Sequence, residues 1–415
     1  MRIAFLTLGC KLNYAETSTY ERGFAAAGLE IVPWREKADI YLVNTCSVTS
    51  TADMKSRNLV RRCHRLNPDA KLIVTGCSAQ LRREELEAIE GVAKVFGADE
   101  KSLVVPGTLA LVIPDFVPGK TDPAAVFGAY SSGERTRSFL KVQDGCDNFC
   151  KYCTVPYARG RSRNVPVCEC VRGAREIASK GIREIVLTGV NTGDFGRTTG
   201  ESFMDLLKAL DAVEGIERYR ISSIEPNLLT EDIVDWIASG TKFQPHFHIP
   251  LQTGSDVMLE KMGRRYTTAF FADRIAYIRK KLEAPGKPLV FFGIDVMVGL
   301  PGETEELFRE TVDFITRIHP AFIHVFPYSR RPGTPAAEMP GQVSAAEKAR
   351  RVAVLEELCA RFHEGFREAN KGVRERVLWE SSDRNGRMEG YTGNYIRLER
   401  PYDGELAGKI CDVVI

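Results

Sequence analysis

The chain has no apolar run near the roughly 18 to 20 residues of a membrane-spanning helix. Its first residues, MRIAFLTLGCKLNYAE, lack the cationic start and cleavage site of a secretory signal and read as a first strand. Neither a membrane protein nor a secreted one is expected, and the cytoplasm is the expected compartment. Net charge is also scarce: 57 Lys and Arg against 55 Asp and Glu leave a formal +2. Bulk attraction to a polyanion is therefore not expected, and any nucleic-acid contact has to come from local patches. Eleven cysteines in 415 residues are too sparse for a disulfide scaffold in a reducing compartment. There is no low-complexity tract and no repeat beyond an alternation of strand-like and helix-like stretches. What the chain does have is 44% hydrophobic residues, enough for substantial cores, over a length that implies about two or three domains.

The alternation predicts an α/β protein. In the first hundred residues RIAFLTLGC, ADIYLVNTC, AKLIVTGC and VAKVFG read as strands, separated by helical stretches such as YAETSTYERGFAAAG. Strands alternating with helices imply an open parallel sheet. A Pro- and Gly-rich stretch follows and reads as a linker with at most one short element. From Ser138 six more strand candidates appear: SFLKVQDG, IREIVLTGVN, RYRISSIEP, PHFHIPLQ, LVFFGIDVMVGLPG and FIHVFPYS. Six β/α units fit a partial (β/α)6 barrel whose chemistry lies at the carboxyl ends of the strands. A long amphipathic helix comes next, then short β-type runs split by Gly, Asn and Asp, as in a small all-β barrel. The expected divisions are 1–105, a linker at 106–136, a barrel with trailing helix at 137–368, and a β-module at 369–415.

The cysteines carry the chemistry. The first three strands end in LGC, NTC and TGC, so Cys10, Cys46 and Cys77 each sit at the carboxyl end of a parallel strand. Those ends share one edge of the sheet, where ligands bind, and a shared metal or cluster site is expected there. A second set lies in GCDNFCKYC: Cys146, Cys150 and Cys153, spaced C-x3-C-x2-C just after the first barrel strand. Neither set has a fourth cysteine. A [4Fe–4S] cluster held by three irons would leave one iron open to a small molecule. Zinc is the weaker reading, because it would need a fourth ligand and the closest downstream histidines are His246 and His248. Cys63, Cys168, Cys170, Cys359 and Cys411 read as ordinary buried cysteines.

C-x3-C-x2-C after the first strand of a partial barrel resembles the radical S-adenosylmethionine superfamily, in which the amino and carboxylate groups of the cofactor chelate the open iron. The whole chain is similar to the methylthiotransferase family within it. CKYCTVPYARGRSR, LTGVN, RISSIEP, PLQTGSD, MGRRYT, GLPGET and FPYSRRPGTPA look like that family's signature segments. The resemblance implies two [4Fe–4S] clusters, one on Cys10, Cys46 and Cys77 and one on Cys146, Cys150 and Cys153. It also implies S-adenosylmethionine in two roles, as radical source and as methyl donor, and it likens the last module to the RNA-binding TRAM domain. LGCKLNYAET and NTCSVTSTADMKSR look like the branch that converts threonylcarbamoyladenosine next to the tRNA anticodon to its 2-methylthio derivative. Sibling branches act on isopentenyladenosine in tRNA or on an aspartate of a ribosomal protein. The implied partners are a tRNA anticodon stem-loop, a flavodoxin- or ferredoxin-like electron donor and a sulfur source. A monomer is expected.

Further candidates follow from position. Thr188, Gly189, Asn191, Ser222, Glu225, Gln252, Gly299 and Gly302 lie at strand ends and are candidate contacts for S-adenosylmethionine, with Tyr152 near the adenine. For Gly299 and Gly302 an ordinary turn is the competing reading. Candidate RNA contacts are Lys55, Arg57, Arg61 and Arg62 after Cys46, and Arg159, Arg161 and Arg163 with Tyr157 after the cluster loop. Arg264, Arg265, Arg330 and Arg331 near strand ends complete them. From Lys371 onward eight basic and eight acidic residues balance, so the last module would have to hold RNA by shape and chosen side chains.

Overall fold

The computed structural model describes residues 1–118, 126–133 and 136–415. The first layer is a parallel sheet of β1 (Arg2–Thr7), β2 (Glu30–Val32), β3 (Ile40–Thr45), β4 (Lys71–Gly76) and β5 (Val92–Val95), in the order β2-β1-β3-β4-β5. Every residue of β3 is buried, as its run IYLVNT requires of a central strand covered on both faces. The helix Lys11–Ala26 covers one face with Tyr20 and Phe24, and the helix Ser50–Leu66 covers the other with Val60 and Cys63. The sequence reading has four strands here. The fifth, β2, is a three-residue edge strand, EIV, too short to show a pattern. With that order, the chain leaves β1 and β3 on either side of the topological switch point, where open α/β sheets form their binding crevice.

Part of the expected linker at 106–136 is regular. Val104–Val112 is a helix packed against the first sheet through Val104 and Leu109. Its Pro106 falls in the first turn, where a missing N–H costs nothing. β6 (Ala129–Tyr130) pairs antiparallel with β7 (Arg137–Lys141). Residues 119–125 and 134–135 of that linker lie outside the described residues.

After β7 comes a small antiparallel pair, β8 (Gln143–Asp144) and β9 (Arg163–Asn164), which brackets the GCDNFCKYC loop. Then β10 (Glu184–Thr188) and β11 (Arg218–Ile221) run parallel to β7, in the order β11-β10-β7-β6. β12 (His246–His248), β13 (Phe291–Val298) and β14 (Phe322–Pro327) form a second parallel set. A parallel bridge between Tyr219 and Phe243 joins the two. These are the six expected barrel strands in the expected order. Helices cover their outside through one large core that includes Leu206, Leu210, Phe271, Phe314 and Leu355.

The last layer is an antiparallel sheet of β15 (Arg374–Trp379), β16 (Arg387–Thr392), β17 (Arg397–Pro401) and β18 (Ile410–Val414), in the order β17-β16-β15-β18. Three barrel arginines seat it. Arg220 donates to the Thr392 and Gly393 carbonyls at 2.7 Å, Arg218 donates to the Tyr391 carbonyl at 3.0 Å, and Arg137 pairs with Glu380 at 2.8 Å. Glu184, fully buried, stands behind all three. Among the described residues no helix is long and apolar enough to cross a membrane.

Candidate functional site

Two cysteines of the first set, Cys10 and Cys77, each follow a glycine with positive φ. Gly9 has φ +103, and a Cβ there would meet the Cys46 sulfur at 3.1 Å. Gly76 has φ +96, and a Cβ would meet the Thr45 carbonyl at 2.3 Å. Both glycines let the chain turn sharply off its strand, so that Cys10 caps the helix Lys11–Ala26 and Cys77 opens the short helix Cys77–Leu81. Cys46 is pinned from both sides by Ser56, whose hydroxyl donates to its carbonyl at 3.0 Å and accepts its N–H at 3.2 Å. Burial pushes the Cys46 thiol up to about 11, and its neighbours Cys77 and Cys10 push the same way. Three thiols whose anions would repel one another are a donor set that suits a cation.

The second set is built in the loop between β8 and β9. Gly145, φ +72, passes so close to the Arg161 carbonyl that a Cβ would meet it at 2.0 Å. Cys146 donates to the Gly160 carbonyl at 3.1 Å and Cys153 to the Cys150 carbonyl at 2.9 Å, which closes the loop. Every sulfur then faces a donor. The Asn148 N–H points at Cys146 (3.5 Å), the Val155 N–H at Cys153 (3.4 Å), and the Arg264 guanidinium at Cys150 (3.1 Å). Burial and the neighbouring thiols push Cys146 up to about 11 and Cys153 up to about 12. N–H groups aimed at sulfur stabilise thiolates, so this donor set fits a cluster.

The two sets are neighbours. The helix Cys77–Leu81 packs on Val155–Arg159, which follows Cys153 directly. Beneath the contact lies a buried charge network. Lys101 reaches Glu16 (2.8 Å) and Asp144 (2.9 Å), Lys141 reaches the same two carboxylates (2.7 Å each), and Arg159 reaches Asp144 (2.8 Å). Burial opposes ionisation of Glu16, but Lys101, Lys141 and Arg159 outweigh it and hold the carboxyl at about 2. The sequence reading missed this network. Its available signal was Lys141 and Asp144 inside the otherwise apolar strand run SFLKVQDG.

Several candidate RNA contacts turn out to be structural. Arg159 is 3% exposed and belongs to that network. Arg331, also 3% exposed, donates to Ser47 Oγ at 2.9 Å and pairs with Asp53 beneath Cys46. Arg264 is committed to Glu225 (2.7 Å) and Cys150. Buried positions like these cannot reach RNA phosphates, because each cation already has an anionic or sulfur partner in the interior. Arg163 is largely covered and donates to the Arg159 carbonyl at 2.8 Å. Lys55, Arg61 and Arg62 are exposed on the helix after Cys46, and Arg57 there pairs with Glu85 at 3.4 Å. Arg161, Arg265 and Arg330 are exposed too. Tyr157 is half-exposed, meets the half-exposed Phe149 edge-on at 5.9 Å, and Arg161 lies 4.9 Å over that Phe149 ring.

The strand-end candidates divide as well. Ser222 is buried and its hydroxyl has no partner, an orphan that a bound cofactor would satisfy. Asn191 accepts the Glu225 N–H at 3.3 Å, which draws those two candidates together. Thr188 turns its hydroxyl back to the Val186 carbonyl. Gln252 sits at φ +71, a strained conformation for a non-glycine residue, bridged to Val296 of β13. Tyr152 packs with Met258, Met262 and Leu300 beside the cluster loop. Three glycines are filled from within. A Cβ on Gly189 would meet Gln143 at 2.9 Å, one on Gly299 would meet Lys348 at 2.3 Å, and one on Gly302 would meet Lys261 at 2.0 Å. Gly299 and Gly302 are turn glycines, and the Gly299 N–H is held by Glu303 at 2.6 Å.

Residues 2–97 match the model of the uncharacterized protein family UPF0004, and residues 140–315 match that of the Radical SAM superfamily. The threonylcarbamoyladenosine tRNA methylthiotransferase MtaB of Bacillus subtilis is 38% identical over all of this chain and 93% of its own length. The chain belongs to the methylthiotransferase family of the radical S-adenosylmethionine superfamily. The protein of the same name from Aquifex aeolicus is 35% identical over the full length of both chains. The fold is shared with the Kitasatospora setae radical S-adenosylmethionine methyltransferase TsrM, with TM-score 0.58 and 15% identity over 81% of this chain and 74% of that one. The cofactors of the family are S-adenosylmethionine and [4Fe–4S] clusters.

Proposed function

We propose that the chain is a tRNA methylthiotransferase that converts threonylcarbamoyladenosine, next to the anticodon, to its 2-methylthio derivative. The observation that carries it is the pair of three-cysteine sets brought side by side, in a chain alike over its whole length to two enzymes of that name. In this reading Cys146, Cys150 and Cys153 hold the cluster that binds S-adenosylmethionine, and Cys10, Cys46 and Cys77 hold the cluster that handles sulfur. When bound, these groups supply the radical that takes hydrogen from adenine C2 and the sulfur that replaces it.

The chain's own residues do the rest. Arg264, clamped by Glu225, offers a fixed positive charge to the Cys150 sulfur. Tyr152, Met258, Met262 and Leu300 make an apolar wall that keeps water from the cluster loop. Ser222 offers its free hydroxyl to the cofactor, and Asn191, Glu225 and Gln252 lie at the same strand ends. Lys55, Arg61, Arg62, Arg161, Arg265 and Arg330, with Tyr157, form the surface offered to the anticodon stem-loop. Each three-cysteine set is completed within one chain, so a monomer suffices. A cytoplasmic site, an electron donor of the flavodoxin or ferredoxin class and a sulfur source complete the reading.

The test is mass spectrometry of nucleosides from tRNA of a host lacking this activity, with and without the chain expressed. A methylthio mass gain on threonylcarbamoyladenosine is expected. A gain on isopentenyladenosine instead would keep the chemistry and overturn the substrate.

A further inference from the structure

A cavity of about 810 Å³ is lined by barrel strands, by the β-module and by Lys11, the residue after Cys10. Ser222, just past the carboxyl end of β11, lines it too. Arg137, Arg220 and the β-module's Tyr391 and Tyr395 form another part of the lining. Such a volume suits a small molecule or a nucleoside's appendage. The walls are basic: five Lys and Arg side chains line the cavity against one carboxylate, Glu380.

Most of those cations are already neutralised. Arg220 is paired with Glu184 at 2.9 Å and Arg137 with Glu380 at 2.8 Å. Arg384 is paired with Glu389 at 3.2 Å, and Arg397 with Glu399. Asp295, close behind the wall, accepts from His248 at 2.8 Å. Of these five cations only Lys11 has no ion pair and no hydrogen bond among the described residues, though Asp295 and Cys10 attract it electrostatically. Lys11 is therefore the one lining cation without a paired acid, since Asp295 is already bonded to His248.

We propose that this cavity takes the carboxylate-bearing arm of the modified adenosine, and that Lys11 is the residue that pairs with the carboxylate. The inference rests on the substrate reading above: a threonylcarbamoyl group carries one terminal carboxylate, one hydroxyl and a carbamoyl linkage. The cavity matches that pattern. Phe139, Val186, Ile221 and Phe291 supply an apolar wall for the short carbon chain. His248 and His324, rings 5.1 Å apart, set imidazole nitrogens along the same space for the hydroxyl and the linkage. An RNA phosphate offers the same kind of anion, but a phosphodiester continues on both sides and needs two exits. The arm's carboxylate is terminal, so a single opening admits it.

The experiment measures affinity of the holoenzyme for four anticodon stem-loops. These carry threonylcarbamoyladenosine, its carboxyl methyl ester, isopentenyladenosine and unmodified adenosine. The expected result is that wild type holds the free acid at least about tenfold more tightly than the ester or adenosine, as a charge-assisted contact requires. In Lys11→Gln that preference is lost, and in Lys11→Arg part of it returns. Equal affinity of wild type for acid and ester overturns the proposal with no variant involved, even where nucleoside analysis shows the threonylcarbamoyl product. A Lys11→Gln protein that keeps the full preference overturns the role of Lys11. One that weakens all four stem-loops alike reassigns the anion to a backbone phosphate. Wild type that prefers the isopentenyl stem-loop and methylthiolates it overturns the substrate reading itself. Iron content of each variant reports whether the neighbouring cysteines still load.

Discussion

Arg220 and Glu184, from the adjacent strands β11 and β10, are both buried and meet at 2.9 Å beneath the C-terminal sheet. The carboxylate holds three arginines whose other N–H groups seat that sheet. Burial alone would raise the Glu184 value, but Arg220, Arg137 and Arg218 outweigh it and hold it at about 2, below the ordinary 4.5. A depressed carboxyl adds stability that is fully present above about pH 4.5 and is lost as pH falls toward 2. Glu184→Gln is therefore expected to destabilise the protein by about 3–5 kcal/mol at neutral pH, because it leaves buried arginines unpaired. It should also flatten the acid limb of the stability profile. Hydrogen exchange along β15 and β16, followed from pH 7 downward, checks both. Unchanged protection there in the variant would show that the arginines do not need Glu184.

Arg330 and Arg331 are sequence neighbours with opposite surroundings. Arg331 is sealed against Ser47 and Asp53, while Arg330 is exposed with a loose partner in Glu338 at 3.7 Å. Arg331→Met should cost about 3–5 kcal/mol, the penalty for stranding a buried Asp53. Arg330→Met should change stability by no more than about 0.5 kcal/mol. It should instead weaken stem-loop binding and lower the salt slope by about one. Thermal unfolding and salt-dependent RNA binding on the two variants separate the roles. Equal effects in both assays would refute the division.

What the sequence disclosed follows from which signals are local. Cys146, Cys150 and Cys153 announce themselves within one loop. Cys10, Cys46 and Cys77 are recognisable because strand ends in a parallel sheet share an edge. The alternation of strands and helices gives both α/β layers, apart from β2, whose three residues show no period. Burial of charge was hidden. Arg159, Arg264 and Arg331 look like solvent-facing cations in a string of letters, because their partners Glu16, Glu225 and Asp53 are set by tertiary contact at long separation. Gly299 and Gly302 carry the mark of a cofactor cradle, yet lysines from two other helices fill the space. The cavity was partly visible: in PHFHIP, His246 and His248 flank the buried Phe247 and so share a face of the barrel.

Tyr157 and Phe149 form an exposed aromatic pair at the rim of the cluster loop, with Arg161 over one ring. Exposed aromatics gain nothing from the core, so Tyr157→Ala should leave the unfolding temperature unchanged. If bases of the anticodon loop stack there, the variant loses about 1–3 kcal/mol of stem-loop affinity. Anisotropy titrations with a labelled stem-loop measure this. Full affinity in Tyr157→Ala would move the base-stacking surface elsewhere.

The two cysteine sets should fail differently. Cys150 is the sulfur that Arg264 faces in the loop beside Tyr152 and the apolar wall. Cys150→Ala should abolish production of 5′-deoxyadenosine from S-adenosylmethionine in reduced, reconstituted protein. Cys46 lies in the other set, behind Gly9 and Ser56. Cys46→Ala should lower iron content, spare part of the 5′-deoxyadenosine production and abolish the methylthio product. Chromatography of the nucleoside products reads both activities in one reaction. Methylthiolation that survives Cys46→Ala would remove the strand-end thiols from sulfur handling. Loss of 5′-deoxyadenosine in both variants to the same degree would instead mean that the two sets assemble as one unit, coupled through the contact of Cys77–Leu81 with Val155–Arg159.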